Sequence, residues 1–191
     1  MGNIVRKETS LPGVLELQPK IFRDSRGYFM EIYKREEFAN LSIHETFVQD
    51  NQSCSKKGVL RGLHYQLRRA QAKLCRVVEG AAMDIAVDIR VGSPTFGKWC
   101  SVMLSAEMQN QIYIPTGFAH GFVALTDSVQ FLYKCTDYYQ AGDEFGILWN
   151  DPALGIDWGI ADPIISEKDA KLPTLAEAPR DVLPQYTGNP S

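Results

Sequence analysis

The chain has 191 residues and carries 20 Lys plus Arg against 23 Asp plus Glu, a formal net charge of −3. Its length predicts one domain, and 45% hydrophobic with 23% charged residues is typical of a globular protein. The acidic balance argues against a nucleic-acid-binding module, and no apolar run reaches the roughly 18 residues of a membrane span. We therefore expect the protein to bind neither nucleic acid nor a membrane.

The N-terminal residues are charged at Arg6, Lys7 and Glu8, where a secretory signal needs an apolar stretch. Four cysteines at positions 54, 75, 100 and 135 form no CxxC pair, which argues against a zinc knuckle or a thioredoxin-like motif. We therefore expect reduced thiols and a cytoplasmic protein. A short helix is predicted over Arg35–Asn40.

Period-two hydrophobicity dominates from about residue 46 to 136. Met83, Ile85 and Val87 alternate with Asp84 and Ala86, the pattern of a half-buried strand. Further strands are predicted over 58–66, 74–78, 99–104, 111–114, 121–125 and 129–135. Short strands at this spacing predict an all-β antiparallel sandwich or barrel.

The C-terminal region carries five prolines after residue 162, which prevents long helices, and we expect the last dozen residues to be extended. The predicted organisation is one domain over 1–191, with its core at about 46–136. The N-terminal extension would span 1–45 and the C-terminal extension 137–191.

The first chemical motif lies in the strand predicted over 58–66. Strict alternation places Arg61, Leu63 and Tyr65 on one face and His64 on the other. A lone histidine in a strand is more often a hydrogen-bonded core residue. The competing interpretation is a general base, because an unperturbed pKa of about 6.5 suits proton abstraction at neutral pH.

The second motif, Pro-x-Gly-x-x-His over 115–122, resembles the second motif of the cupins, a superfamily of small jelly-roll barrels. Metal-binding cupins use His-x-His and a carboxylate from the first motif and one more histidine from the second. This chain offers only His64 and His120 at these places, with His44 far from both. A transition-metal site needs three or four ligands, so we expect no cupin-type metal site.

Several blocks together resemble one cupin branch, the dTDP-4-dehydrorhamnose 3,5-epimerase family, from about residue 14 to 173. The blocks are 22–31, 48–51, 58–66, 93–97, 115–122 and 147–152. The resemblance implies a cupin-type jelly-roll β-sandwich or barrel with few helices. It also implies a dTDP-linked 4-keto-6-deoxy sugar as substrate and inversion at C3 and C5.

Both carbons flank the C4 ketone, which acidifies their protons, so a base, an acid on the opposite face and a positive charge for the enolate suffice. No hydride or electron moves, and no cofactor is expected. The resemblance assigns His64 as base, Asp169 as its partner, Tyr133 as acid and Lys73 as the oxyanion's counter-charge. Each residue taken singly has a simpler interpretation. Asp169 would be a solvated surface charge, Tyr133 a packing residue of a strand and Lys73 a charge on an edge strand. The catalytic interpretation is favoured because all four residue types match the family at separate positions.

The resemblance also assigns substrate-binding residues. Arginine's planar fork suits phosphate oxygens, and Tyr139 rather than Tyr138 is expected to stack on thymine. The full set is Arg26, Glu31, Gln49, Asn51, Arg61, His120, Tyr139, Glu144 and Lys168. The family forms homodimers in which an N-terminal segment reaches the neighbouring site, so Arg26 and Glu31 are expected to act across the interface.

Three other functions remain open at this stage. A sister enzyme would invert only C3 or only C5 of another deoxysugar. A non-catalytic sugar-nucleotide-binding cupin would be expected to lack His64 or Asp169. A metal-dependent cupin oxygenase would need the ligands that are missing here.

Overall fold

The computed structural model describes residues 2–188. The helix α1 spans Arg35–Asn40, as the sequence predicts. In chain order the strands are Ile4–Glu8 (β1), Leu15–Pro19 (β2), Ile21–Asp24 (β3), Gly27–Met30 (β4), Gln49–Lys56 (β5), Leu60–Gln66 (β6), Lys73–Glu79 (β7), Ala81–Asp88 (β8), Trp99–Ser105 (β9), Gln111–Ile114 (β10), Phe118–Ala124 (β11), Ser128–Cys135 (β12) and Glu144–Gly146 (β13).

Two antiparallel sheets make up the body of the fold. One has the strand order β1-β2-β10-β7-β12-β5, and the other has the order β13-β6-β11-β8-β9; β3 and β4 form a separate hairpin. The non-sequential order is that of a jelly roll, so the predicted all-β, cupin-type class is confirmed. Among residues 2–188, no helix is both long and apolar enough to cross a bilayer.

The space between the sheets is filled by apolar side chains from both of them. Phe122 of β11 stacks on Phe131 of β12 with ring centroids 4.0 Å apart and planes 2° from parallel. Cys75, Ala86 and Val102 belong to the same buried cluster. This packing fixes β7 and β12 opposite β8 and β11, and functional side chains on these four strands converge between the sheets.

The expectation of a half-buried β8 is wrong, because both of its faces are buried. Ile85 and Val87 pack against the C-terminal segment, which supplies Trp158 and Leu183 to the outer face of the five-stranded sheet. The other face carries Asp84, fully buried between the sheets. The alternation is real, but its polar face points into the barrel rather than to water.

The terminal segments also join the sheets or cover them. β1 and β2 extend the six-stranded sheet, and α1 covers part of that sheet with Phe38. Near the C-terminus, the Val91 N–H donates to the Pro184 carbonyl and the Tyr186 N–H to the Val91 carbonyl. The predicted extended tail thus pairs with the body through Tyr186, and residues 189–191 lie outside the described part. The predicted division into a core over 46–136 and two extensions stays a prediction.

Candidate active site

A cavity of about 530 Å³ opens between the two sheets. Eleven of the thirteen predicted site residues line it, whereas Arg26 and Glu31 do not. The eleven are Gln49, Asn51, Arg61, His64, Lys73, His120, Tyr133, Tyr139, Glu144, Lys168 and Asp169. The third histidine, His44, is exposed at the surface away from this cavity.

His64 and Asp169 form a hydrogen-bonded pair at the cavity wall. His64 Nε2 lies 2.6 Å from Asp169 Oδ1, with side chains 25% and 5% exposed. The Gly62 N–H donates to Asp169 Oδ2 at 3.3 Å. Burial raises the pKa of Asp169, but the bonds from His64 and Gly62 outweigh it and leave that pKa below its usual value. The carboxylate therefore stays ionised at neutral pH and orients the imidazole.

A β-bulge places Arg61 and His64 in the same cavity. His120 pairs with His64, but two residues further along β11 Phe122 pairs with Arg61, three residues away on β6. The extra residue breaks the alternation, so the prediction that Arg61 and His64 lie on opposite faces is wrong. Gly62 sits in the bulge at a φ of +119°, and a Cβ there would lie 2.6 Å from Gly121 Cα.

His120 forms a second histidine–carboxylate pair, deeper in the fold. Its Nε2 lies 2.9 Å from Asp84 Oδ2, and the two side chains are 8% and 0% exposed. Burial raises the pKa of Asp84 and lowers that of His120. The low dielectric thus disfavours charge on either group, in contrast to the ionised Asp169.

Lys73 and Tyr133 project from neighbouring strands toward the two histidines. In the register of β7 and β12, Lys73 pairs with Cys135 and Tyr133 with Cys75, which puts these four side chains on one face. Burial raises the pKa of Tyr133 to about 12, so its hydroxyl keeps its proton at neutral pH. The site therefore combines a histidine, a phenol and an ammonium group.

Another part of the cavity lining is polar and carries an exposed aromatic ring. The Tyr139 N–H donates to Gln49 Oε1 at 2.9 Å, and Gln49 Nε2 donates to Asn51 Oδ1 at 3.0 Å. Tyr139 lines the cavity and Tyr138 does not. Lys168 donates to Glu144, and this bond raises the pKa of Lys168.

Arg61 is held at the rim by β5, a strand of the other sheet. Its Nε donates to Ser55 Oγ at 3.0 Å and its Nη2 to the Cys54 carbonyl at 3.3 Å, both on β5. The guanidinium thus has a defined direction at the edge of the cavity. It supplies positive charge to a chain that is acidic overall.

Arg26 and Glu31 lie at the β3–β4 hairpin, outside the cavity of their own chain. The Arg26 side chain is 87% exposed and pairs with Asp24 at 2.6 Å. Phe22, Tyr28 and Phe29 of the hairpin are also exposed. These residues and those of the cavity are not brought together within one chain.

Several cavity residues were not predicted from the sequence, although two of them, Gln66 and Phe122, lie within its motifs. The stacked pair of Phe122 and Phe131 forms an apolar wall of the cavity. Gln66 is 8% exposed; its amide oxygen accepts from the Gln140 N–H, and its amide nitrogen donates to the Tyr138 carbonyl. It thereby holds the loop that carries Tyr139. The only sequence signal for this role of Gln66 is that a polar residue stands within an apolar strand.

Comparison with known proteins gives one consistent result. A profile described as dTDP-4-dehydrorhamnose 3,5-epimerase matches residues 8–177. The enzyme of that name from Salmonella typhimurium is 53% identical over 90% of this chain and 95% of its own. The one from Neisseria gonorrhoeae is 50% identical over 92% of this chain, which spans 54% of that longer protein.

Solved structures agree with the sequence relatives. The 3,5-epimerase from Legionella pneumophila, crystallised with dTDP-4-keto-L-rhamnose, has a TM-score of 0.94 and 46% identity, covering 96% of this chain and 98% of its own. ChmJ, a 3'-monoepimerase from Streptomyces bikiniensis crystallised with dTDP-quinovose, has a TM-score of 0.87 and 37% identity, covering 93% and 91%.

Proposed function

Because the chain belongs to the dTDP-4-dehydrorhamnose 3,5-epimerase family, we propose that its cavity converts dTDP-4-dehydro-6-deoxy-D-glucose to dTDP-4-dehydro-L-rhamnose. The protein is an isomerase that inverts C3 and C5 next to the C4 ketone. The observation that supports this most strongly is the ionised Asp169 bonded to His64 at 2.6 Å, in one cavity with Lys73 and Tyr133.

His64 is the base in this proposal. Its Nε2 is bonded to Asp169, which leaves Nδ1 to accept the proton from the carbon beside the ketone. The electron pair of the broken C–H bond moves onto the C4 oxygen and forms an enolate. Asp169 keeps the ring oriented and stabilises the imidazolium that forms, since its own pKa is low.

Lys73 and Tyr133 complete the proton transfer. The Lys73 ammonium group stabilises the negative C4 oxygen, a charge that develops only along the reaction. Tyr133 donates a proton to the opposite face of the carbon, which inverts the centre. A pKa of about 12 keeps this phenol protonated and available as an acid at neutral pH.

Binding of the nucleotide is assigned to the polar part of the cavity lining. Arg61 and Lys168 supply positive charge for the diphosphate, and Tyr139 offers an exposed ring on which thymine can stack. Gln49, Asn51 and Glu144 provide further polar contacts there, and His120 provides one deeper in the cavity. These assignments rest on the position of each side chain in the cavity lining.

We also propose a homodimer in the cytoplasm. The hairpin with exposed Phe22 and Phe29 carries Arg26 away from its own cavity, as expected if it enters the neighbouring subunit's site. All four cysteines are free, in keeping with a reducing compartment.

Co-expressing His64→Ala with Arg26→Ala chains tests the shared site. Mixed dimers regain activity if one intact site forms across the interface, and stay inactive if each chain is self-sufficient.

Deuterium incorporation tests the reaction directly. The protein is incubated with dTDP-4-dehydro-6-deoxy-D-glucose in D₂O, and label at each sugar carbon is followed by NMR. Label at both C3 and C5 is expected. Label at one centre would instead indicate a single-centre epimerase, and no label with a folded, nucleotide-binding protein would indicate a non-catalytic sugar-nucleotide binder.

A further inference from the structure

Three side chains that could bind a metal ion meet beside the inner histidine. Cys75, Asp84 and His120 come from β7, β8 and β11, so the group bridges the two sheets. Their potential ligand atoms all lie within 4.8 Å of one another, and all three residues are buried. His120 Nε2 is 2.9 Å from Asp84 Oδ2 and 4.0 Å from Cys75 Sγ.

These distances are close to those of a tetrahedral metal site. Zinc binds nitrogen and oxygen at about 2.0 to 2.2 Å and thiolate at about 2.3 Å, so tetrahedral donors lie roughly 3.3 to 3.6 Å apart. The His120–Asp84 contact is slightly shorter than this and the His120–Cys75 contact slightly longer. The third pair, Cys75 and Asp84, lies within 4.8 Å, so side-chain shifts of up to about 1 Å would bring the three donors around one ion.

The donor set is also chemically incomplete without a cation. Asp84 Oδ1 is buried and finds no hydrogen-bond partner within the described residues. A buried carboxylate oxygen without a partner is costly, and a cation that Asp84 bound through both of its oxygens would satisfy it. Thiolate, imidazole and carboxylate together are donors typical of zinc and of other borderline or soft divalent ions.

Access to the group is provided by His120. Its ring lines the cavity, whereas Cys75 and Asp84 do not. An ion could therefore enter through the cavity and keep its fourth position open to water there, as three-ligand zinc sites do. The charge of Lys73, on the same strand face as Cys75, opposes such an ion and limits its affinity.

We propose that Cys75, Asp84 and His120 form a binding site for a divalent cation of the zinc type, and that the bound ion inhibits the enzyme. On binding, the Cys75 thiol releases its proton to solvent and forms a thiolate–metal bond. The His120 ring binds through Nε2 and carries its proton on Nδ1, which takes His120 away from the substrate. This site does not use His64, so it differs from the cupin-type set considered from the sequence. The inhibitory part rests on the proposed function; the binding part does not.

Cobalt(II) is the probe for binding, because a thiolate ligand gives it a charge-transfer absorption. The full-length protein, freed of metal with a chelator, is titrated with Co²⁺ at neutral pH. We expect one equivalent per chain with a thiolate band. Cys75→Val should lose the band, whereas Cys54→Ser, which removes an exposed thiol outside the group, should keep it.

Zinc inhibition is measured on the same three proteins. Zn²⁺ should inhibit the wild type and Cys54→Ser, and a chelator should restore their activity. Cys75→Val should need at least about tenfold more Zn²⁺, because loss of a direct ligand weakens binding at least as much as loss of an outer-shell partner. Cys75→Ala is the second variant, and thermal unfolding without metal verifies that both variants fold.

Two outcomes overturn the proposal: no thiolate band in the wild type, or an equal band in wild type and folded Cys75→Val. A protein that shows the cobalt band but no deuterium exchange would keep the metal site and refute the proposed epimerase activity. Deuterium exchange without a cobalt band would support the epimerase activity and refute the metal site. The two proposals therefore fail separately.

Discussion

His64 and His120 face each other across β6 and β11, and each ring contacts an aspartate. The outer pair is partly exposed, and hydrogen bonds from His64 and Gly62 keep Asp169 ionised. The inner pair is buried, and desolvation disfavours charge on both groups. The same two residue types thus receive opposite electrostatics from their depth in one cavity. We infer that the outer pair moves protons and the inner pair positions a ligand.

The largest expected effect is that of removing the imidazole of His64. His64→Ala should reduce deuterium exchange at both carbons by about 10³-fold or more, because general-base catalysis contributes about 10²- to 10⁴-fold. Exchange is followed by NMR in D₂O. His44→Ala, which changes an exposed histidine away from the cavity, is the control. Wild-type exchange in His64→Ala would end the assignment of His64 as base.

Tyr133→Phe tests the acid that serves the outer pair. Turnover should fall by roughly 10- to 100-fold, since the proton donor is lost while the ring and its packing remain. Binding of dTDP, measured by calorimetry, should change little. Unchanged turnover would show that another group delivers the proton.

Gly62→Ala tests the bulge that turns Arg61 and His64 into the same cavity. The new Cβ would lie 2.6 Å from Gly121 Cα and 2.7 Å from the His120 carbonyl oxygen at a φ of +119°. We expect a loss of roughly 3 kcal/mol in the free energy of unfolding, the combined cost of overpacking and backbone strain. Chemical denaturation measures it.

Gly92→Ala is the matched control for that substitution. Gly92 also has a positive φ, of +88°, but a Cβ there meets nothing within 4 Å. It should lose only about 1 kcal/mol through backbone strain. Equal losses at the two glycines would mean that the close approach of β6 and β11 is not tightly constrained.

A further effect is expected on acid stability. The folded pKa of Asp169 is lowered, so its ionisation stabilises the fold above the unfolded value of about 3.9 and this stabilisation is lost as pH falls through the folded pKa. Asp169→Asn should cost about 1 to 3 kcal/mol at neutral pH through the lost charged hydrogen bonds. The difference from wild type should shrink below about pH 4, while the exposed Asp127→Asn should match wild type throughout. A constant difference would contradict the role of this charge.

The sequence predicts best what local pattern controls. Arg35–Asn40 forms the predicted helix, and β10 spans the predicted 111–114. The relation between Arg61 and His64 was not predictable, because the bulge depends on the register against β11. Asp84 was misplaced on a solvent face because alternation gives two faces of a strand but not which of them a later segment covers. Cys75 had no motif at all, since its partners lie on other strands.

The contrast between the two pairs is tested most directly by comparing Asp169→Asn with Asp84→Asn in one exchange assay. Both substitutions keep the size of the side chain and remove one carboxylate. With saturating substrate in D₂O, Asp169→Asn should slow exchange by about 10²-fold, and Asp84→Asn by no more than about tenfold. Equal losses, or a larger loss in Asp84→Asn, would contradict the account.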